Sequence, residues 1–587
     1  MPTLLDGFSA LAQNAVAALL FLSVAGWGIL VMRGILLRYL DNTFDEADLF
    51  SLGAAGWTLP ILILSLITFA VSSIFSTSIA GILASILILL PFFILSGKKT
   101  NSLPLLVAIA LLTPILILRF AFIHDLPLPS YFDSAEHYRL IRSLFESYQT
   151  GITADPLSGG YYHLGFHHIL APLAYFFKQE IVGLMLVSGP ILLALLPFSF
   201  YFIVKRETHS HSAAFFTCLL AGFGFHMPAH LMNWGKYPAL LGLFAIPFVL
   251  SLGAILVQND PTQNRKPILF LLVLAVSTSA LIHSRTLVLY GMMLPAALLT
   301  FGWERLKPSY QIPGFILLFV LLAAELFLIQ HDPALKTLLA GYLNNDTPIL
   351  ILLPALILFS AFQFPRPTFF LLSWLALCIL CLFIPITIPV HGVQTLLDRP
   401  FVQMFTFIPL SLLGGLGLSG ATHTLARLTP DLKWVQRFVP LFLFGFVLLN
   451  AALNYDLSPS DCCRFVSRDD LAALSWLGES TPADAKVLIA STGLYVTSFE
   501  PPKAQTGVDA GIWIPPLLSR PIQLSGADIQ FDQADTHKFL CQSGVNYIYA
   551  GGMPQSFNTA QLESQPAWYE PSFILPSAKV YQLTGCE

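Results

Sequence analysis

Gly165-Phe-His-His-Ile-Leu-Ala-Pro-Leu-Ala-Tyr-Phe-Phe177 is apolar and carries Pro172, and whether it crosses a membrane decides how the rest of the chain is oriented. A spanning helix needs about 17 to 25 apolar residues. This stretch is shorter, so it reads as an interfacial or re-entrant helix. Left out of the count of crossings, it places Arg33/Arg38, Lys98/Lys99, Lys205/Arg206, Arg265/Lys266, Arg305/Lys307, Arg366 and Arg427/Lys433/Arg437 in one compartment. The positive-inside rule makes that side cytoplasmic and predicts both termini outside. Counted as a crossing, it would send every later basic cluster to the other face.

Composition sets the class around this stretch. With 56% apolar and 11% charged residues and a mean hydropathy of +0.73, the chain is not an ordinary soluble domain but a polytopic membrane protein. The 48 Phe and 41 Pro in 587 residues fit a bundle of broken or kinked helices. A net charge of −4 favours no nucleic acid. The first apolar run lacks a basic leader and a small-residue cleavage site, so it reads as a first span rather than a signal peptide.

Apolar spans fall near Asn14–Leu37, Leu52–Ile74, Thr77–Leu95, Leu103–Ile123, Ile181–Val204, Ser212–His230, Pro238–Val257 and Ile268–Ile282. Others follow near Thr286–Trp303, Pro313–Gln330, Thr347–Phe364, Thr368–Val390, Val402–Ala421 and Phe438–Asn454. The expected fold is a polytopic α-helical membrane protein of about 14 spans with a C-terminal extracytoplasmic α/β domain. Its divisions are N-terminal helices over 1–102, a core over 103–454 with an outer loop at 124–180, and the soluble domain over 455–587.

In that domain Ser467 is expected to cap a helix with Asp470 completing the capping box. Lys486–Ala490, Val545–Ala550 and Ala578–Leu583 read as strands, with a helix at Ala534–Gln542. No phosphate loop or nucleophile motif appears there. Four of the seven cysteines, Cys462, Cys463, Cys541 and Cys586, belong to it. The adjacent pair is awkward for mutual bonding, so each is expected to join one of the distant two. Cys378 and Cys381, three apart in an apolar span, read as buried small hydrophobes.

This topology collects on the outer face Asp133, Glu136, His137, His163, His167, His168, His226, His230, Asn233, Lys236, His283, Arg285, His331, Asp346, His391, Asp398 and Arg399. Ionisable groups at membrane depth usually mark chemistry or ligand binding. In Tyr131-Phe-Asp-Ser-Ala-Glu-His-Tyr138, helical spacing predicts Asp133, Glu136 and His137 on one face. Such a face serves as a general base toward an acceptor hydroxyl, or holds a divalent metal ion. The plainer alternative is a helix cap by Asp133 with Glu136 aiding the dipole. His163 and His167 have the spacing of two imidazoles on one metal, but Gly165 interrupts and no carboxylate accompanies them; hydrogen bonding to a polar substrate is the other use. Arg285 and Arg399 carry the guanidinium fork that chelates phosphate, and Lys236 offers a point charge; snorkelling explains any one of them alone.

The acidic outer loop with its amphipathic helix, the many spans and the terminal domain together resemble the GT-C superfamily of membrane glycosyltransferases. Tyr131–Ile141, Tyr161–Leu170 and Asn233–Leu241 also resemble uncharacterised bacterial multispanning proteins placed beside it. The resemblance implies transfer of a sugar from a polyprenyl-phosphate-linked donor to an extracytoplasmic glycan, lipid or protein acceptor, in the plasma membrane and in contact with its lipids. It makes Asp133 the base or metal ligand and Glu136 the second acid. His137, His163, His167, Lys236, Arg285 and Arg399 are then the substrate-binding residues. The chain departs from that pattern by three extra spans before the acidic loop and by an Asp-x-x-Glu motif. A lipid or polysaccharide transporter or flippase, or a non-catalytic scaffold, are the readings from other classes.

Overall fold

The computed structural model describes residues 3–40, 44–95, 103–152, 162–257, 265–388, 392–455, 457–493 and 505–586. Lys98, Lys99, Tyr161 and His391 lie outside the described residues. Among the described residues, ten helices are long and apolar enough to cross a membrane, or eleven with the bent pair Glu46–Gly56 and Thr58–Ile74 taken as one span. The chain is therefore a helical membrane protein. Three other expected spans fall on shorter apolar helices, Thr77–Leu89, His211–Gly224 and Pro365–Leu380. Backbone events shorten two of them. A π-turn at Leu220–Gly224 ends one, and a hairpin pairing Pro385–Ile388 with Gly392–Thr395 follows the other.

The helices pack through small residues where they approach closely. The Arg399–Leu428 helix lies against Lys336–Gln363, and a Cβ on Gly417 or Gly420 would run into the carbonyls of Leu356 or Phe359. Without a hydrophobic drive between helices in lipid, such close backbone contact supplies the attraction. The Gly165–Phe177 helix has 13 residues, about 20 Å of rise. It packs against Tyr131–Thr150 and Thr58–Ile74.

Basic and acidic groups pair at one end of the bundle: Arg33 with Glu46 at 2.7 Å, Lys205 with Asp48 at 2.9 Å, and Arg366 with Glu304 at 3.3 Å. The Thr286–Glu304 helix begins beside Arg285 and ends at Glu304, about 28 Å away along its axis. Arg285 and the residues around it therefore occupy the opposite end.

The C-terminal region is a six-stranded mixed sheet with a separate apolar cluster on each face. Val487–Gly493 runs parallel to Ile522–Gly526 and to Tyr547–Ala550. Tyr547–Ala550 pairs antiparallel with Lys579–Leu583. The expected capping box is present, with Ser467 N donating to Asp470 Oδ2 at 2.8 Å and Asp470 N to Ser467 Oγ at 3.2 Å. The cysteine pairing differs from expectation. Cys541 bonds Cys586 at 2.08 Å, and Cys462 bonds its neighbour Cys463. The last strand returns the chain end to the Ala534–Gln542 helix, where Thr584 O accepts from His537 Nε2 at 2.7 Å. This brings Cys586 to Cys541 and leaves Cys462 and Cys463 far along the chain at the junction with the bundle.

Candidate functional site

Two ion pairs with imidazoles between them occupy the end of the bundle opposite the Arg33, Lys205 and Arg366 pairs. Asp133 enters from the first turn of the Tyr131–Thr150 helix, and Lys236 from a turn that ends the short His230–Asn233 helix. Gly235 makes that turn possible with φ of 60°, a region L side chains avoid. A Cβ there would overlap Ser134 Oγ and lie 2.9 Å from Ser130 O, so the turn sits directly on the helix start. Lys236 Nζ consequently lies 2.6 Å from Asp133 Oδ2. Their side chains are 32% and 23% exposed, so the pair contributes about 1 kcal/mol or less to folding and is open to exchange of partners.

Arg285 Nη1 lies 2.6 Å from Asp398 Oδ2 in the second pair. Asp398 also caps the Arg399–Leu428 helix by accepting from Phe401 N at 2.9 Å. One carboxylate thus fixes both the helix start and the guanidinium. Sequence reading named Arg285 but not Asp398 as a site residue, although Asp followed by Arg-Pro is an N-cap signature.

The imidazoles lie between. His137 Nδ1 and His167 Nε2 are 3.1 Å apart, with both rings buried. His163 stacks on Tyr162 at 4.0 Å and faces the His283 ring at 4.2 Å, and His283 stacks on Phe401 at 4.8 Å. His163 Nε2, His167 Nδ1 and His283 Nδ1 are buried without a hydrogen-bond partner among the described residues. Buried polar atoms normally find partners, so such orphans mark a place for a ligand or water. Burial, reinforced by Lys236 and His163, holds His137 well below the usual histidine range. Burial, then Arg285 and Lys236, brings His163 down to about 3. Both rings are neutral at pH 7. Tyr131 is pushed up to about 12, first by burial and then by Asp133, with Arg399 opposing.

Not every expected residue joins this group. Glu136 does not share the Asp133 and His137 face: its side chain is 52% exposed and pairs with Arg139 at 2.6 Å. The i+4 residue His137 turns inward, and Glu136 swings to its own i+3 partner on the solvent side. Around the expected divalent-ion set, Asp133 pairs with Lys236, Glu136 with Arg139 and His137 Nδ1 with His167. Among the described residues, those three bring no cluster of ligand atoms together. His163 and His167 do not share a metal position either, because His163 precedes the Gly165–Phe177 helix and turns to His283. Arg399 donates to Thr337 Oγ1 at 2.5 Å and approaches the site through the Tyr131 side. The position of His283 after Ile282 at a span end places it on the outer face without singling it out as a site residue; its imidazole is buried.

The C-terminal region is fastened to the same elements. Tyr131 N donates to Cys463 O at 2.9 Å, Ser460 N to Asn233 Oδ1 at 2.8 Å, and Arg142 Nη1 to Pro516 O at 2.7 Å. The Tyr138 ring meets Trp513 edge-on at 5.8 Å. The helix carrying Asp133 and the loop carrying Lys236 are thus both held from the side of the sheet.

No protein-family model and no curated protein sequence matches the chain. Among solved structures, the arabinofuranosyltransferase AftD from mycobacteria is similar with a TM-score of 0.48 and 12% identity, over 83% of this chain and 42% of that one. The oligosaccharyltransferase of Archaeoglobus fulgidus, tethered with an acceptor peptide, is similar with a TM-score of 0.38 and 15% identity, over 76% of this chain and 69% of that one. The chain spans less than half the length of AftD.

Proposed function

We propose that this chain is a membrane glycosyltransferase that moves a sugar from a polyprenyl-phosphate-linked donor to an extracytoplasmic acceptor, with Asp133 as general base. The observation that carries the reading is the 2.6 Å contact between Asp133 and Lys236, which sets a base beside a phosphate anchor. The acceptor hydroxyl oxygen bonds to the anomeric carbon as the bond from that carbon to the phosphate oxygen breaks. Asp133 takes the hydroxyl proton, and the phosphate leaves with the electron pair. Lys236 and Arg285 stabilise the charge that develops on it, the role in which fixed charges contribute most. His137, His163 and His167, as neutral rings, orient sugar hydroxyls or the leaving phosphate. Arg399 holds the flank of the site beside Tyr131, and Glu136, paired with Arg139, stands on the solvent side.

In this reading the site end of the bundle faces outward, because Arg33, Lys205 and Arg366 gather at the other end. Both termini are then extracytoplasmic, and the 455–587 region presents the acceptor to a core spanning 103–454. The deciding experiment offers purified protein a panel of polyprenyl-phosphate sugars and follows release of polyprenyl phosphate. Asp133→Asn should abolish turnover while leaving the protein folded, since general-base catalysis contributes roughly 10²–10⁴-fold. Equal turnover in the variant would remove Asp133 as the base, and no binding by well-folded protein would remove the transferase reading.

A further inference from the structure

The carboxylate assigned above as the base is paired in the ligand-free protein, with Lys236 Nζ 2.6 Å from Asp133 Oδ2. With Lys236 Nζ against it, Oδ2 is not open to an acceptor hydroxyl. Arg285 is likewise neutralised, by Asp398 at 2.6 Å. The two pairs differ in their surroundings. Asp398 is 5% exposed and also bound by Phe401 N, so the partner of Arg285 is fixed in place. Asp133 is 23% exposed, and Lys236 reaches it on a flexible stem. Lys236 is thus the cation free to change partners.

A second observation shows where it would go. His163 Nε2 and His283 Nδ1 are buried, unpartnered among the described residues, and belong to rings 4.2 Å apart. Both rings lie within electrostatic reach of Lys236 and of Arg285. A phosphate seated against these ring nitrogens therefore has both cations within range, and it competes with Asp133 for the mobile one.

We propose that the Lys236–Asp133 pair is a substrate-released latch: the phosphate of a lipid-linked donor draws Lys236 onto itself beside His163 and His283, and so frees Asp133 to accept the acceptor proton. The latch rests on the transferase reading. It couples base activation to donor binding, so that the base is idle when the site is empty. His283 joins the site as a phosphate-contacting residue.

The test is zero-length carbodiimide coupling of the full-length protein in lipid nanodiscs, read by peptide mass spectrometry, with binding of decaprenyl phosphate followed by native mass spectrometry on the same samples. The ligand-free protein should give an amide between Asp133 and Lys236. Asp133→Asn and Lys236→Arg should give none. Saturating decaprenyl phosphate should lower the coupled fraction at least fivefold, whereas the same concentration of inorganic phosphate should leave it unchanged. An equal effect of inorganic phosphate overturns the lipid-linked assignment of the ligand. An unchanged amide yield in protein that carries decaprenyl phosphate overturns the latch and leaves the transferase reading standing. Absence of decaprenyl phosphate binding to folded protein overturns both.

Discussion

Replacing Gly235 by Ala should disable the site without touching an ionisable group. The residue sits at φ of 60°, where a Cβ costs about 1–2 kcal/mol. The same Cβ overlaps Ser134 Oγ and lies 2.9 Å from Ser130 O and 3.1 Å from Ser134 N. Crowding of this kind adds about 1–3 kcal/mol. A total of about 2–5 kcal/mol cannot be absorbed by the helix start, whose Tyr131 N is held by Cys463 O at 2.9 Å. The turn must recoil instead, displacing Lys236 from the site and with it the cation that would hold the donor phosphate. A displacement on the order of 1 Å at a reacting group lowers turnover about 100-fold. Turnover of a polyprenyl-phosphate sugar and the denaturation midpoint should both fall. Adding Ser134→Ala removes the worst overlap but not Ser130 O, so the double variant should regain part of each loss. A Gly235→Ala protein with unchanged turnover and midpoint would refute this account of how Lys236 is placed, and so would a double variant that regains nothing.

Other expectations follow from the same geometry. His137 is depressed well below the usual range and His163 to about 3. The stability they contribute is complete above their unfolded pKa near 6.5 and is lost as pH falls through the acidic range. Each ring should account for up to about 1.4 kcal/mol per pH unit, and His163→Gln should flatten the pH dependence of the midpoint below pH 6. Asp509 in the sheet region behaves oppositely, because burial raises it to about 6. Its contribution is fully present below its unfolded pKa near 3.8 and is lost as pH rises through 6, so Asp509→Asn should remove a destabilisation between pH 4 and 6 measured by thermal unfolding. Gly417→Ala should destabilise the bundle by about 1–3 kcal/mol, since the new methyl meets the Leu356 carbonyl. A midpoint equal to that of the parent protein would show that the two helices separate there without penalty.

Apolar periodicity and span length were enough to define a helical membrane protein, because lipid forces each spanning segment to satisfy its own backbone hydrogen bonds. The Ser467–Asp470 capping box, the Ala534–Gln542 helix and the short Gly165–Phe177 helix were legible for a similar reason: caps, turns and length act within a few residues. Asp133, His137, His163, Lys236 and Arg285 stood out because ionisable groups are costly beside a membrane and survive there with partners. Which partner each one takes was not legible. Asp133 meets Lys236 across about a hundred residues of chain, and Arg285 meets Asp398 across a similar span. Glu136, spaced to join Asp133, turned instead to Arg139. The cysteine pairing likewise depended on where the last strand returns. Local periodicity decides which face a residue occupies along its own helix. Only the packing of one helix against another decides what stands opposite that face, because burial and charge pairing act through space and not along the chain.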